Sequence, residues 1–162
     1  AEYDAEIAYM DTCLQHIFQW LEDRNLREQT LITMTADHGE ELDEHAMWFD
    51  HHGLYQTNLH VPLIFSLPGT LPAGQRLDTP VTSLEVAPTL LSAAGLQRHP
   101  ALARMQGRSL WEHLLGGPAP PLPPVHYATE CTWMKKRALC SADWKLIEAL
   151  EHPDLHGCPP LE

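Results

Sequence analysis

Two short apolar runs frame the chain's most unusual stretch. Thr30-Leu31-Ile32-Thr33-Met34-Thr35, rich in β-branched residues, and Val61-Pro62-Leu63-Ile64-Phe65-Ser66-Leu67 are each bounded by polar or turn-forming residues, and no lysine or arginine occurs between Arg27 and Arg76. Runs this short and this branched read as buried strands, with Pro62 near the first residue of the second, where a missing N–H is tolerated. The segment between them holds Asp37, Glu40, Glu41, Asp43, Glu44 and Asp50 together with His38, His45, His51, His52 and His60. It is too polar to be buried and so reads as a long loop leaving the end of the first strand. Asp37 and His38 stand where that strand stops.

The flanking segments supply helices. Tyr3, Ile7, Met10, Leu14, Phe18 and Leu21 recur in steps of four and three, which predicts an amphipathic helix ending near Arg24-Asn25 with that stripe in the core. Thr82 and Glu85 have capping-box spacing, and Leu84, Ala87, Leu90, Leu91 and Ala94 follow on one face, with Gly95 as the stop and Pro88 expected to kink or divide the helix. Residues 116–124, Gly-Gly-Pro-Ala-Pro-Pro-Leu-Pro-Pro, favour extended polyproline geometry and read as a connector; a docking motif for proline-binding modules is the alternative. Val125–Thr129, Arg137–Leu139 and Trp144–Ile147 then suit an antiparallel sheet. The order helix, strand, long loop, strand, helix predicts an α/β fold with an open sheet and an antiparallel tail. The expected division is 1–115, a connector at 116–124, and a C-terminal subdomain at 125–162.

Composition narrows the partners. At 162 residues with a formal charge of −12, a phosphate-backbone partner is disfavoured, because such binding depends on lysine and arginine. No apolar run approaches the ~18 residues of a membrane span, so neither nucleic acid nor membrane is expected. Cys13, Cys131, Cys140 and Cys158 form no C-x-x-C pair, which removes support for zinc-ribbon and thioredoxin readings and leaves the compartment open. Unneutralised carboxylates repel, so the acidic, histidine-rich gap calls for a cation from outside the sequence. Carboxylates and neutral imidazoles are ligands for divalent metals; an exposed acidic loop is the alternative.

A longer pattern carries more than any tripeptide. Thr33-Met34-Thr35-Ala36-Asp37-His38-Gly39-Glu40, His45-x-x-Trp48, Leu54-Tyr55, Val61-Pro62-Leu63-Ile64 with Pro68-Gly69, Val81–Leu91, Gly107-Arg108-Ser109-Leu110 and the late Arg137-Ala138 with Trp144-Lys145-Leu146-Ile147 occur in order. Together they resemble the second half of the sulfatase family, of the alkaline-phosphatase superfamily. The resemblance implies an alkaline-phosphatase-like sheet flanked by helices, with a small antiparallel C-terminal subdomain, the chain being a fragment of the full fold. It places Asp37 and His38 on a catalytic divalent metal, with Gly39 permitting a sharp turn. Many relatives have asparagine after that aspartate and use calcium; the imidazole of His38 suits manganese or zinc better. The family's sulfate-contacting lysine is replaced here by His51, which with His45 becomes the candidate for steadying ester oxygens.

The resemblance further implies metal-assisted hydrolysis of a small-molecule or saccharide sulfate ester by a formylglycine nucleophile, expected upstream because no C/S-x-P/A-x-R motif occurs here. The isolated chain is accordingly expected to be inactive, and surface left open by truncation to promote self-association. Phosphonate monoester or phosphodiester hydrolysis is the alternative. A third reading is a compact phosphoesterase using Asp50 as a further ligand, and a fourth a metal-free binding or scaffolding domain. Glu40, Glu41, Asp43 and Glu44 read as a solvated turn, and Glu85 as a helix cap.

Overall fold

A computed structural model describes residues 2–131 and 135–151; Cys158 and the segment Pro159–Glu162 lie outside the described residues. Helix α1 (Glu2–Asp23) has Glu2 and Asp4 in its first turn, where carboxylates oppose the helix dipole favourably. It stops because Asn25 adopts a left-handed φ of 54° and the Leu26 amide returns to the Leu21 carbonyl at 2.9 Å. Leu21 is buried, yet Tyr3, Ile7, Met10 and Phe18 of the expected core stripe are exposed, Ile7 by 58% and Met10 by 60%. Periodicity reports which face prefers burial; it does not supply the surface that covers it.

Strands β1 (Ile32–Thr35) and β2 (Leu63–Ser66) pair antiparallel, with Ile32 opposite Ser66 and Thr35 opposite Leu63. The Arg27 guanidinium donates to the Ser66 hydroxyl at 2.6 Å and ties the approach to β1 onto β2. Because Thr35 and Leu63 are partners, the long excursion departs from and returns to one end of the pair. Its walls are held by main-chain bonds: the Gly39 amide to the Asn58 carbonyl at 2.7 Å, and reciprocal bonds of 2.7 and 3.2 Å between Glu41 and Asp50. A single turn of helix, α2 (Gln56–Leu59), closes the return.

The capping box forms as expected. The Thr82 amide and hydroxyl donate to Glu85 at 2.6 and 2.8 Å, and the Leu84 amide donates to the Thr82 hydroxyl at 3.3 Å. A 3₁₀ turn at Ser83–Glu85 precedes helix α3 (Val86–Ala93), so the helix is divided just ahead of Pro88, which sits in the first turn where no N–H is needed. The buried residues are Pro88, Thr89 and Ser92, whereas Leu84 and Leu90 are exposed. Thr89 accounts for the difference: its buried hydroxyl donates to the Glu85 carbonyl at 2.6 Å and accepts the Leu110 amide at 2.9 Å, bringing α4 (Trp111–Leu114) onto that side.

Strands β3 (His126–Glu130), β4 (Lys136–Cys140) and β5 (Lys145–Ala149) form an antiparallel meander, as the tail's composition predicts. Its inner face meets the loop: Ala138 and Ile147 pack with Leu54 in one buried cluster, flanked by Tyr55, Ala128 and Cys140. Lys145 Nζ donates to the Leu54 carbonyl and to Gln56 Oε1, both at 3.0 Å, and burial holds its pKa below the usual lysine value. The C-terminal sheet therefore backs the acidic loop directly. Among the described residues, no helix is long and apolar enough to cross a membrane.

Candidate functional site

Asp37 stands two residues beyond β1 with its side chain 89% exposed. Its carboxyl is held below the ordinary aspartate value, first by a hydrogen bond from its own amide, then by that of His38 and the adjacent imidazole. The His38 amide donates to Oδ1 at 3.0 Å. His38 Nδ1 lies 2.8 Å from the Gly39 carbonyl. A carbonyl can only accept, so Nδ1 carries the proton and Nε2 presents its lone pair, the arrangement a metal-ligating histidine needs. That nitrogen lies 3.7 Å from Asp37 Oδ2.

His51 joins from the other side of the loop. Its ring stacks on His38 with centroids 4.2 Å apart and planes at 19°, and its Nδ1 is 3.9 Å from Glu40 Oε1. Ligand atoms of His38, Glu40 and His51 all lie within 4.8 Å of one another. Asp50 orients this corner by accepting the amides of His51 and His52 at 2.7 and 3.3 Å, and the His52 ring sits between Asp50 Oδ1 at 3.5 Å and Glu130 Oε1 at 3.7 Å. Asp50 thus braces the turn, and Glu40 is the carboxylate grouped with His38 and His51. Gly39 also acts differently from expectation. It has no left-handed φ; a Cβ there would fall 1.8 Å from the Thr57 carbonyl oxygen, so close backbone approach is what excludes a side chain.

His45 is outside that group. It lies over Tyr55, with ring centroids 3.8 Å apart and planes at 5°, and its Nδ1 is 3.1 Å from Glu41 Oε2. Glu41 is fully buried, which corrects its assignment to a solvated turn: the Thr57 hydroxyl and Asn58 Nδ2 also donate to it. Glu44 does follow the turn reading, accepting the amides of Leu42 and Asp43 at 2.8 and 3.2 Å. Sequence reasoning therefore missed Glu40 and Glu41. Their signal was the cation-free window itself, which shows an excess of carboxylates and does not sort those turned inward from those left in water.

At the end of β1 the structure thus gathers two imidazoles and a carboxylate whose ligand atoms could hold a metal ion. Residues 1–96 match the Sulfatase family model, and the chain belongs to the sulfatase family. It is 29% identical over 152 residues to a choline-sulfatase of Rhizobium meliloti, covering 94% of this chain and 29% of that protein. It is 35% identical over 108 residues to a sulfatase of Formosa agariphila, covering 67% of this chain and 20% of the relative. Among solved structures it resembles a 2-O GAG sulfatase, with a TM-score of 0.66 and 28% identity over 78% of this chain and 28% of that one. It shares its fold with the phosphonate monoester hydrolase of Agrobacterium radiobacter, with a TM-score of 0.73 and 24% identity over 96% of this chain and 33% of the other. The chain thus spans less than a third of the length of these relatives.

Proposed function

We propose that this chain carries part of the metal and ester site of a sulfuric ester hydrolase. The observation that bears the most weight is the meeting of His38, Glu40 and His51 beside Asp37 at the end of β1. Asp37 and His38 would hold a divalent metal, with Glu40 as an added carboxylate, and two nearby imidazoles suit manganese or zinc better than calcium. Bound there, the ion would neutralise a non-bridging ester oxygen and activate the nucleophile. His51, stacked on His38, would contact the ester oxygens in place of a lysine, and His45 would assist from the Tyr55 side. That replacement also favours a second reading, phosphonate or phosphodiester hydrolysis, because the charge of an imidazole varies near neutral pH. The names of the sulfatase relatives favour the sulfuric ester.

Titration calorimetry on the 162-residue chain is expected to show weak binding of manganese or zinc, still weaker binding of calcium, and loss of the signal in the Asp37→Ala, His38→Ala double variant. Aryl sulfate and phosphate esters are expected to remain intact, since no C/S-x-P/A-x-R nucleophile motif is present. Ester turnover by this polypeptide that disappears with Asp37→Ala would overturn the inactivity. A metal response insensitive to both residues would favour a scaffolding role.

The bare stripe of α1 supports self-association. Sedimentation velocity should show an average mass rising with concentration, and the rise should shrink in an Ile7→Glu, Met10→Glu variant; a monomer at every concentration would refute it.

A further inference from the structure

We propose that Glu41 is a positioning residue: it commits the Nδ1–H of His45 to a buried carboxylate and leaves Nε2 as the ring's exchanging nitrogen. The inference rests on the ester-hydrolase reading only for what Nε2 would touch. Glu41 has no exposed surface, and its two oxygens gather three side-chain groups: the Thr57 hydroxyl and Asn58 Nδ2 at one, His45 Nδ1 at the other. An ionised carboxylate only accepts, so each of these groups must donate, and the proton on His45 is assigned to Nδ1. Burying a carboxylate is costly unless such donors converge on it, which makes this arrangement a built one.

Two further restraints act on the same ring. The backbone of His45 is left-handed, with φ 54° and ψ 28°, which is uncommon for a residue other than glycine. The ring is also stacked almost parallel on Tyr55, and Tyr55 in turn packs against the C-terminal sheet. A single hydrogen bond would leave an exposed imidazole free to flip; the bond, the stack and the backbone together fix one orientation. The ring edge stays open, the side chain being 40% exposed, and among the described residues no hydrogen bond is made to Nε2.

With Nδ1 occupied, protons enter and leave through Nε2. In the imidazolium form, Nε2–H donates to an ester oxygen. As a hydroxyl nucleophile supplied from outside this chain forms its bond to sulfur, the bond from sulfur to the departing oxygen breaks, the electron pair goes to that oxygen, the proton passes to it from Nε2, and the neutral ring keeps its proton on Nδ1. Glu41 touches no substrate in this scheme.

The test reads the tautomer. Long-range ¹H–¹⁵N spectra of the ¹⁵N-labelled chain, above the imidazole titration range, should show His45 as the Nδ1–H form, opposite to the Nε2–H form that free histidine prefers. In Glu41→Gln, the amide oxygen can serve Thr57 and Asn58 while its NH₂ faces Nδ1, so the ring should switch to Nε2–H. An Nε2–H ring in the unaltered chain would overturn the proposal whether or not the variant folds. So would an unchanged tautomer in a folded Glu41→Gln. Failure of the ester-hydrolase reading would appear elsewhere, as metal binding indifferent to Asp37 and His38, with the tautomer unaffected.

Discussion

Gly39→Ala should lower the stability of the chain by about 3 kcal/mol, at the upper end of ordinary overpacking, and abolish metal binding with it. The added methyl carbon would lie 1.8 Å from the Thr57 carbonyl oxygen and 2.9 Å from its carbon, both main-chain atoms that no rotamer change can move aside. Relief requires the two walls of the loop to part, which stretches the 2.7 Å bond from Gly39 to Asn58 and draws His38 away from His51. Gly69→Ala is the control: it has open space but a φ of +77°, so it should cost only the backbone strain of about 1 kcal/mol. Urea midpoints at constant slope measure both. Equal losses would show that the close approach at Gly39 contributes nothing.

Two adjacent carboxylates should give opposite phenotypes. Glu41→Ala is expected to cost about 3 kcal/mol, because it strips a buried acceptor from buried Asn58 and from the part-buried Thr57 and His45, and a buried donor left unpaired costs about 1–3 kcal/mol. Glu40→Ala removes a partly exposed side chain and should change stability by only about 0.5 kcal/mol, while weakening manganese or zinc binding by about tenfold or more. Denaturant unfolding and calorimetric titration, run on both variants, separate the roles. Equal stability losses would contradict the division between a carboxylate that holds the loop and one that faces the imidazoles.

The local elements were legible because each is set by short-range preferences. Alternating four- and three-residue spacing marked α1, branched runs marked β1 and β2, and Thr82 with Glu85 announced a cap that forms hydrogen bond by hydrogen bond. Burial was less legible. The helix at 86–93 hides Thr89 and Ser92 and exposes Leu90, since a hydroxyl that bonds both its own helix and the Leu110 amide decides which side faces inward.

The same division runs through the site. Asp37 and His38 could be singled out as candidates from sequence because they are neighbours at the end of a strand, where a site on an α/β sheet belongs. Adjacency along the chain needs no fold to enforce it. His51 could be singled out as a candidate, but that its ring lies on His38 follows from antiparallel pairing and a loop that doubles back. By itself, then, the sequence determined the elements, the family and the local excess of carboxylates. Only the tertiary structure decided that Glu40 meets the imidazoles while Glu41 goes fully inside, and that Gly39 is required by the backbone opposite it. Those choices depend on contacts between residues distant in sequence, and no local propensity encodes them.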